Sequence, residues 1–215
     1  MKTLGYPLIT KILATASLLS LFGCATDLTT VNKTVTYNDC AAIGLSCRAI
    51  GSTYADVGNT IMAERYYLLE AQQGDPEFQF ILGKSYLKGE TVSKNLVEAE
   101  KWLTSAAQKG SVRAQFLLGW EFDSGNNFPK NATTAAFWYK RAATQGHANA
   151  TNNLGVLYEN GTGVPKNFYL ALAYYKRAIK KGSDIAKNNV LRVTEKIKST
   201  PPDILKAMEQ AALAH

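Results

Sequence analysis

Side chains that commonly carry out catalysis are few in this chain, and their spacing does not suit it. Histidine occurs twice, as His147 and His215, so neither a serine–histidine–aspartate triad nor a zinc site has enough ligands at credible spacing. Glu98 and Glu100 would not face one another on a helix, which favours ordinary surface charges. The stretch 161–165, although it contains two glycines, fits no nucleotide-binding motif. We therefore predict no catalytic residue, no metal site and no cofactor.

The first 24 residues have the pattern of an export signal. Lys2 and Lys11 precede an apolar run over residues 12–22, too short to span a bilayer comfortably but suited to a signal peptide. The run ends in Leu21-Phe22-Gly23-Cys24, which resembles a bacterial lipobox, where the cysteine is acylated and becomes the mature N-terminus. We predict a signal peptide over residues 1–23 and lipidation of Cys24. An ordinary signal peptide with an incidental cysteine is the alternative.

The lipobox resemblance also implies a location. Residue 25 is alanine and not aspartate, which by the bacterial sorting pattern directs a lipoprotein to the outer membrane, on its periplasmic or surface face. Residues 24–36 are rich in threonine and poor in large apolar side chains, so we expect a tether between the membrane and the folded part.

Cys40 and Cys47 could form a disulfide in an oxidising compartment. On one continuous helix their Cα atoms would lie about 10 Å apart, which is too far for a bridge. A break in the helix is therefore required, and Gly44 supplies one. The residues alone leave two alternatives open, a disulfide or two small buried thiols.

Most of the remaining chain repeats at an interval of 36 residues. The aligned columns include Gly74, Gly110, Gly146 and Gly182; Leu82-Gly83, Leu118-Gly119 and Leu154-Gly155; Lys94-Asn95, Lys130-Asn131 and Lys166-Asn167; and Trp102, Trp138 and Tyr174. A fixed period of this size marks a repeat architecture in which each unit packs on its neighbours.

Each unit is predicted to form two helices. Apolar residues recur at helical spacing in both halves of the unit, as at Ala114, Leu118 and Phe122, and at Ala135, Trp138 and Ala142. A glycine inside the first helix, such as Gly119, should cost about 1 kcal/mol relative to alanine. We predict that it offsets this cost by letting the bulky Trp or Tyr column of the second helix approach the first helix's backbone.

The run Ala114-x-x-x-Leu118-Gly119-x-x-Phe122-x-x-Gly125, followed by Lys130-Asn131, Ala135 and Trp138-Tyr139, resembles a Sel-one-like repeat, a longer relative of the tetratricopeptide repeat. The resemblance implies an all-α fold, a right-handed α/α solenoid of about four repeats, which we place at residues 37–200. Pro201-Pro202-Asp203 then ends one helix and opens another, with Asp203 as its N-cap. Residues 201–215 are predicted to form a C-terminal capping helix.

The N-terminal end is similar to a cysteine-rich branch of the same family, in which a disulfide ties the end of one helix to the start of the next. That similarity implies a Cys40–Cys47 bridge, although the interval here is one residue shorter. Its role would be to staple the N-terminal cap, whose outer face no further repeat covers.

The resemblance also implies that the first helices line a concave face that binds other proteins. Transferring the tetratricopeptide contact positions selects Arg48, Ser52, Phe80, Lys84, Lys88, Arg113, Phe116, Trp120, Asn149 and Asn152. Phe80 and Phe116 share one column, and Trp120 replaces Lys84 in another. Aromatic residues flanked by cations are typical of binding hot spots. The alternative is that these aromatic rings pack between neighbouring helices.

These features favour a lipid-anchored adaptor or scaffold of the bacterial envelope that binds a protein or peptide partner and no nucleic acid. A hydrolase of cell-wall peptides or β-lactams, proposed for some cysteine-rich relatives, is the alternative, and a purely structural envelope role is a third. The formal net charge is +7, and it falls to +5 without Lys2 and Lys11. We interpret this mild excess as a solvated basic face.

Overall fold

The computed structural model describes residue 40 and residues 44–90 and 92–213, so the predicted signal peptide, Cys24 and the tether lie outside the described residues. Within the described residues the chain forms ten helices: α1 (Cys47–Asp56), α2 (Thr60–Gln72), α3 (Pro76–Lys88), α4 (Leu96–Gln108), α5 (Val112–Ser124), α6 (Ala132–Thr144), α7 (Ala148–Asn160), α8 (Phe168–Lys180), α9 (Ile185–Ser199) and α10 (Pro202–Leu213). The chain divides after Glu70 into two compact units. The predicted all-α fold is confirmed.

The unit that precedes Ala71 contains a disulfide between Cys40 and Cys47. The two Cα atoms lie 5.2 Å apart, and Gly44 between them has a φ of +67°, in the left-handed region that favours glycine. Both cysteines are buried and pack with Ile50. The predicted bridge and the predicted break in the helix at Gly44 are therefore confirmed.

Helices α1 and α2 pack closely because α1 carries a glycine where α2 presents tyrosines. An ideal Cβ on Gly51 would lie 3.0 Å from the ring of Tyr67. The rings of Tyr54 and Tyr66 stack with their centroids 5.5 Å apart. Glu70 also ties the two helices, since its Oε1 accepts from the backbone N–H of residue 48 at 3.1 Å.

In the unit that begins at Ala71, the helices start and stop at equivalent repeat positions. The first helices of the repeats (α3, α5 and α7) are N-capped by the side chains of Asp75, Ser111 and His147, and the second helices (α4, α6 and α8) by Asn95, Asn131 and Asn167. The first helices end at Gly89, Gly125 and Gly161, with φ of 72°, 74° and 72°. Capping side chains and left-handed glycines satisfy backbone groups at helix ends, so this local sequence determines each boundary.

The glycine inside each first helix does permit close packing, but the contact residue differs from the predicted one. A Cβ added to Gly119 would lie 2.5 Å from the Tyr139 ring, and one added to Gly155 would lie 2.7 Å from the Tyr175 ring. The prediction that the Trp138 column makes this contact was wrong, because the next residue along the second helix makes it. Trp138 lies edge to face against Phe137 instead, with 4.8 Å between ring centroids.

Helices α9 and α10 follow the third repeat. Helix α9 packs against α8, and α10 is tied to α8 through Asn167, whose Nδ2 donates to the carbonyl of Met208 at 2.6 Å. Helix α10 begins at Pro202, so Asp203 lies in its first turn and is not the N-cap that the sequence predicted. A carboxylate in the first turn still interacts favourably with the helix dipole.

Candidate functional site

Polar side chains link the first helices of neighbouring repeats to one another. Arg113 on α5 forms an ion pair with Glu77 on α3. Arg192 and Lys196 on α9 each pair with Glu159 on α7, both at 2.8 Å. We call the solvent-facing residues of α3, α5, α7 and α9 the first-helix face.

Glu159 is a buried carboxylate whose polar partners converge on it. Glu159 is 1% exposed, and the Tyr175 hydroxyl donates to its Oε2 at 2.5 Å. Burial alone would raise the pKa of Glu159, but hydrogen bonds from Arg192, Lys196 and Tyr175 outweigh it and lower the pKa to about 2. Burial and the adjacent carboxylate together raise the pKa of Tyr175. At neutral pH this cluster is therefore an ionised carboxylate beside a neutral phenol, with both groups hydrogen-bonded.

The tyrosine and carboxylate pair is a repeat feature that the sequence analysis missed. In the second repeat, the Tyr139 hydroxyl donates to Asp123 at 3.4 Å and accepts from Asn153 at 3.1 Å. The corresponding positions of the first repeat are Leu87 and Leu103, both buried. These two positions, 16 residues apart, therefore hold two leucines in the first repeat, and an acid and a tyrosine in the second and third repeats. This joint change across the three copies is the signal that could have predicted the contact.

A shallow pocket of about 150 Å³ opens on the first-helix face between α3 and α5. Its lining consists of Phe80, Ile81, Lys84, Ser85, Glu90 and Arg113. The Arg113 guanidinium lies over the Phe80 ring, 4.4 Å from its centroid. The structure therefore brings together three of the residues that the sequence predicted for partner binding.

The aromatic residues of the predicted hot spot lie in three different environments. Phe80 is 5% exposed and contributes its ring to the wall of the pocket. Phe116 is half-buried and stacks on the His147 ring, with 4.3 Å between centroids. Trp120 is 46% exposed. Of the two interpretations left open by the sequence, packing holds for Phe80 and Phe116, and exposure holds for Trp120.

The remaining predicted residues are also distributed unevenly. Asn152 is 6% exposed and accepts from Asn189 at 2.7 Å, so the expectation that it faces a partner is corrected: its amide serves the contact between α7 and α9. Lys88 and Asn149 are exposed, and Lys88 pairs with Glu90 at 3.0 Å. Arg48 and Ser52 belong to the other compact unit, where Ser52 accepts from the Tyr67 hydroxyl at 3.3 Å.

His147 is a helix cap. Its Nδ1 accepts from the backbone N–H of Ala150 at 3.2 Å, and burial lowers its pKa, which favours the neutral ring that can accept. His215 lies outside the described residues. In the described part of the chain, no group of three or more His, Cys, Asp or Glu side chains could hold a metal ion. No helix there combines the length and apolar character needed to cross a membrane.

Two of the solved structures that are similar to this chain are repeat proteins of bacteria. A Sel1 repeat protein from Oxalobacter formigenes is 38% identical over 59% of this chain and 95% of its own, with a TM-score of 0.55. The protein c5321, a protective antigen present in uropathogenic Escherichia coli strains that displays an SLR fold, is 25% identical over 72% of this chain, with a TM-score of 0.62. The match covers 34% of that protein, so this chain spans about a third of its length. No curated protein matches the chain.

The family comparison agrees with the helix boundaries. Residues 76–111, 112–147 and 148–183 each match the Sel1 repeat, and together they make up about half of the chain. Each match begins with a first helix, includes the second helix, and ends in the turn before the next repeat. With three consecutive repeats in register with three helix pairs, the chain belongs to the Sel1 repeat family.

Proposed function

We propose that this chain is a lipid-anchored adaptor of the bacterial envelope that binds a protein or peptide partner on its first-helix face. Solenoids of helix-pair repeats commonly bind other proteins through the surface that their stacked helices present. The Leu21-Phe22-Gly23-Cys24 pattern supports the envelope address.

The observation that carries the binding proposal is the exposure of Trp120, 46% of whose surface faces solvent. The equivalent position holds Lys84 in the preceding repeat and Val156 in the following one, so the fold does not require an indole there. A large aromatic ring on the surface leaves apolar area in water that a partner can cover. Tryptophan is also enriched among the residues that contribute most to protein interfaces.

The pocket beside α5 indicates what the partner would present. Lys84 forms no ion pair within the described residues, whereas Arg113 pairs with Glu77 and covers Phe80. A carboxylate near Lys84 and an apolar side chain against Trp120 would therefore complement this part of the surface. We propose a peptide segment with both groups as the ligand.

Site-directed crosslinking followed by affinity measurement tests this proposal. A photo-crosslinking amino acid at position 120 should capture an envelope protein that the same probe at position 137, on helix α6, does not capture. With that protein purified, Trp120→Ala should weaken binding about thirtyfold, the effect of losing about 2 kcal/mol at a hot spot. The free energy of unfolding should change by about 1 kcal/mol or less, because Trp120 is half exposed.

Phe137→Ala is the matched control, because Phe137 is an aromatic residue that is 51% exposed but lies on a second helix. It should leave the affinity unchanged. Unchanged affinity for Trp120→Ala would overturn the proposal. If that variant also lost about 3–5 kcal/mol of stability, the ring would be a packing residue.

A further inference from the structure

Positive charge is concentrated on two of the second helices. Helices α6 and α8 contain no acidic residue. With the C-cap of α8 they carry six exposed cations: Lys140, Arg141, Lys176, Arg177, Lys180 and Lys181. The first four form two equivalent pairs in consecutive repeats. We call these six residues and the exposed ring of Phe137 the basic second-helix patch.

The cations of the patch are not neutralised by the described part of the protein. Among the described residues, none of the six forms an ion pair with a carboxylate, whereas on the first-helix face Arg113, Lys88 and Arg192 each pair with a glutamate. An average protein surface mixes both signs of charge. The absence of acids on α6 and α8, and of ion pairs to them within the described residues, leaves a positively charged surface that attracts negative charge.

Helices α6 and α8 are neighbours at the end where these cations lie. The Arg177 guanidinium donates to the backbone carbonyl of Ala143, near the end of α6, at 3.0 Å. The helix dipole favours cations in the last turn, as for Arg141 and Arg177. It does not account for Lys140 and Lys176, which lie before the last turn. The charge thus exceeds what helix capping requires.

An exposed apolar ring lies among the charges. Phe137 is 51% exposed, and the Arg141 guanidinium lies 5.6 Å from its centroid. Cations together with an exposed aromatic ring are the combination found at membrane interfaces, where the charges meet lipid phosphates and the ring enters the headgroup boundary. We propose that the basic second-helix patch docks on an anionic phospholipid surface. This surface is separate from the first-helix face, so the inference does not depend on the proposed function.

Vesicle binding of the full chain tests the inference. Cys24→Ala should be present throughout, so that acyl chains make no contribution. The readout is the difference in affinity between vesicles of phosphatidylcholine with phosphatidylglycerol and vesicles of phosphatidylcholine alone. Binding through the apolar run over residues 12–22 does not require lipid charge, so it cancels in this difference. We expect preference for the anionic vesicles, and we expect it to weaken steeply as salt is added.

Two triple variants with the same loss of charge locate the binding surface. Lys140→Gln, Lys176→Gln and Lys180→Gln should together lower the affinity for anionic vesicles at least about tenfold, given the contribution of each lysine near such a surface. The control is Lys101→Gln, Lys187→Gln and Lys198→Gln, three exposed lysines that already pair with a carboxylate three residues away. The control should retain most of the affinity. Circular dichroism melts should show that both variants remain folded.

Three outcomes would overturn the inference. Equal affinity for the two kinds of vesicle would show that lipid charge is not recognised. Equal losses in the two triple variants would show a response to net charge and not to this patch. Tighter binding to polyglutamate or to duplex DNA than to anionic vesicles would assign the patch to a soluble polyanion.

Discussion

His147 occupies the position at which the two preceding first helices carry Asp75 and Ser111. All three side chains accept a hydrogen bond from a backbone N–H of the first turn, which would otherwise lack a partner. Imidazole can do this only when it is neutral, because both ring nitrogens of imidazolium are donors. The third repeat therefore has a cap that is sensitive to pH.

We predict that replacing His147 with serine removes one component of the pH dependence of stability. Because burial lowers the folded-state pKa, the cap contributes fully above the unfolded pKa of about 6.5, and its contribution is lost as pH falls through the folded value. The loss should be about 1 kcal/mol, as for other caps. Urea unfolding between neutral and mildly acidic pH measures it. His147→Ser, which introduces the cap that the second repeat has at Ser111, should show a flatter profile. Parallel profiles for the two proteins would contradict the prediction.

Two equivalent positions of each repeat, one on the first helix and one on the second, carry either an apolar or a polar pair of residues. In the first repeat, leucines at 87 and 103 occupy the two positions. In the third, Glu159 and Tyr175 do so, and the carboxylate also binds Arg192 and Lys196 of the next first helix. The polar version thus links three helices, which the apolar version cannot do.

A double-mutant cycle on Glu159 and Tyr175 tests this coupling. Glu159→Leu, which introduces the residue that the first repeat has at Leu87, should lower the free energy of unfolding by about 1–3 kcal/mol, because the buried Tyr175 hydroxyl loses its acceptor. Adding Tyr175→Phe removes that hydroxyl, so the double variant should be more stable than the sum of the singles implies by about 1 kcal/mol. Chemical unfolding of the four proteins measures the coupling energy.

The second repeat supplies the control for this cycle. The Tyr139 hydroxyl lies 3.4 Å from Asp123, against 2.5 Å between Tyr175 and Glu159, so Asp123→Leu with Tyr139→Phe should show a smaller coupling energy. Strict additivity at Glu159 and Tyr175 would mean that the short hydrogen bond between them adds nothing to the stability of the helix pair.

For the whole molecule, the two proposed surfaces lie on different sets of helices. The first-helix face carries Trp120, and its cations are mostly paired with carboxylates. The basic second-helix patch carries Phe137 and cations that form no ion pair within the described residues. A chain anchored to a membrane could therefore use one set of helices toward lipid and the other toward a partner.

We predict that Cys24 carries a lipid anchor. Cells supplied with labelled palmitate should incorporate the label into the wild-type protein and not into Cys24→Ala, which should become soluble or remain an uncleaved precursor. The control is Cys40→Ser with Cys47→Ser, which removes the disulfide and should keep the label. Absence of label from the wild-type protein would show that the lipobox resemblance misleads.

The repeat and the two helices of each of its units could be predicted from the amino-acid sequence alone. These features depend on interactions within a few residues of chain, such as the cap at Asn131 or the left-handed glycine at Gly125. The helix break at Gly44 was also predictable, because the turn is local, whereas the residues alone left the Cys40–Cys47 bridge open and only the family resemblance implied it. Local interactions repeated at a fixed interval are readable without a structure.

Which side chains face one another, by contrast, depends on the three-dimensional packing of the helices. A shift of one position turns a side chain by about 100° around a helix, so the column that meets Gly119 is Tyr139 and not Trp138. The burial of Phe80 and the exposure of Trp120 likewise depend on how neighbouring repeats are stacked. That stacking is set by packing between residues far apart in the chain, which the periodic pattern does not specify.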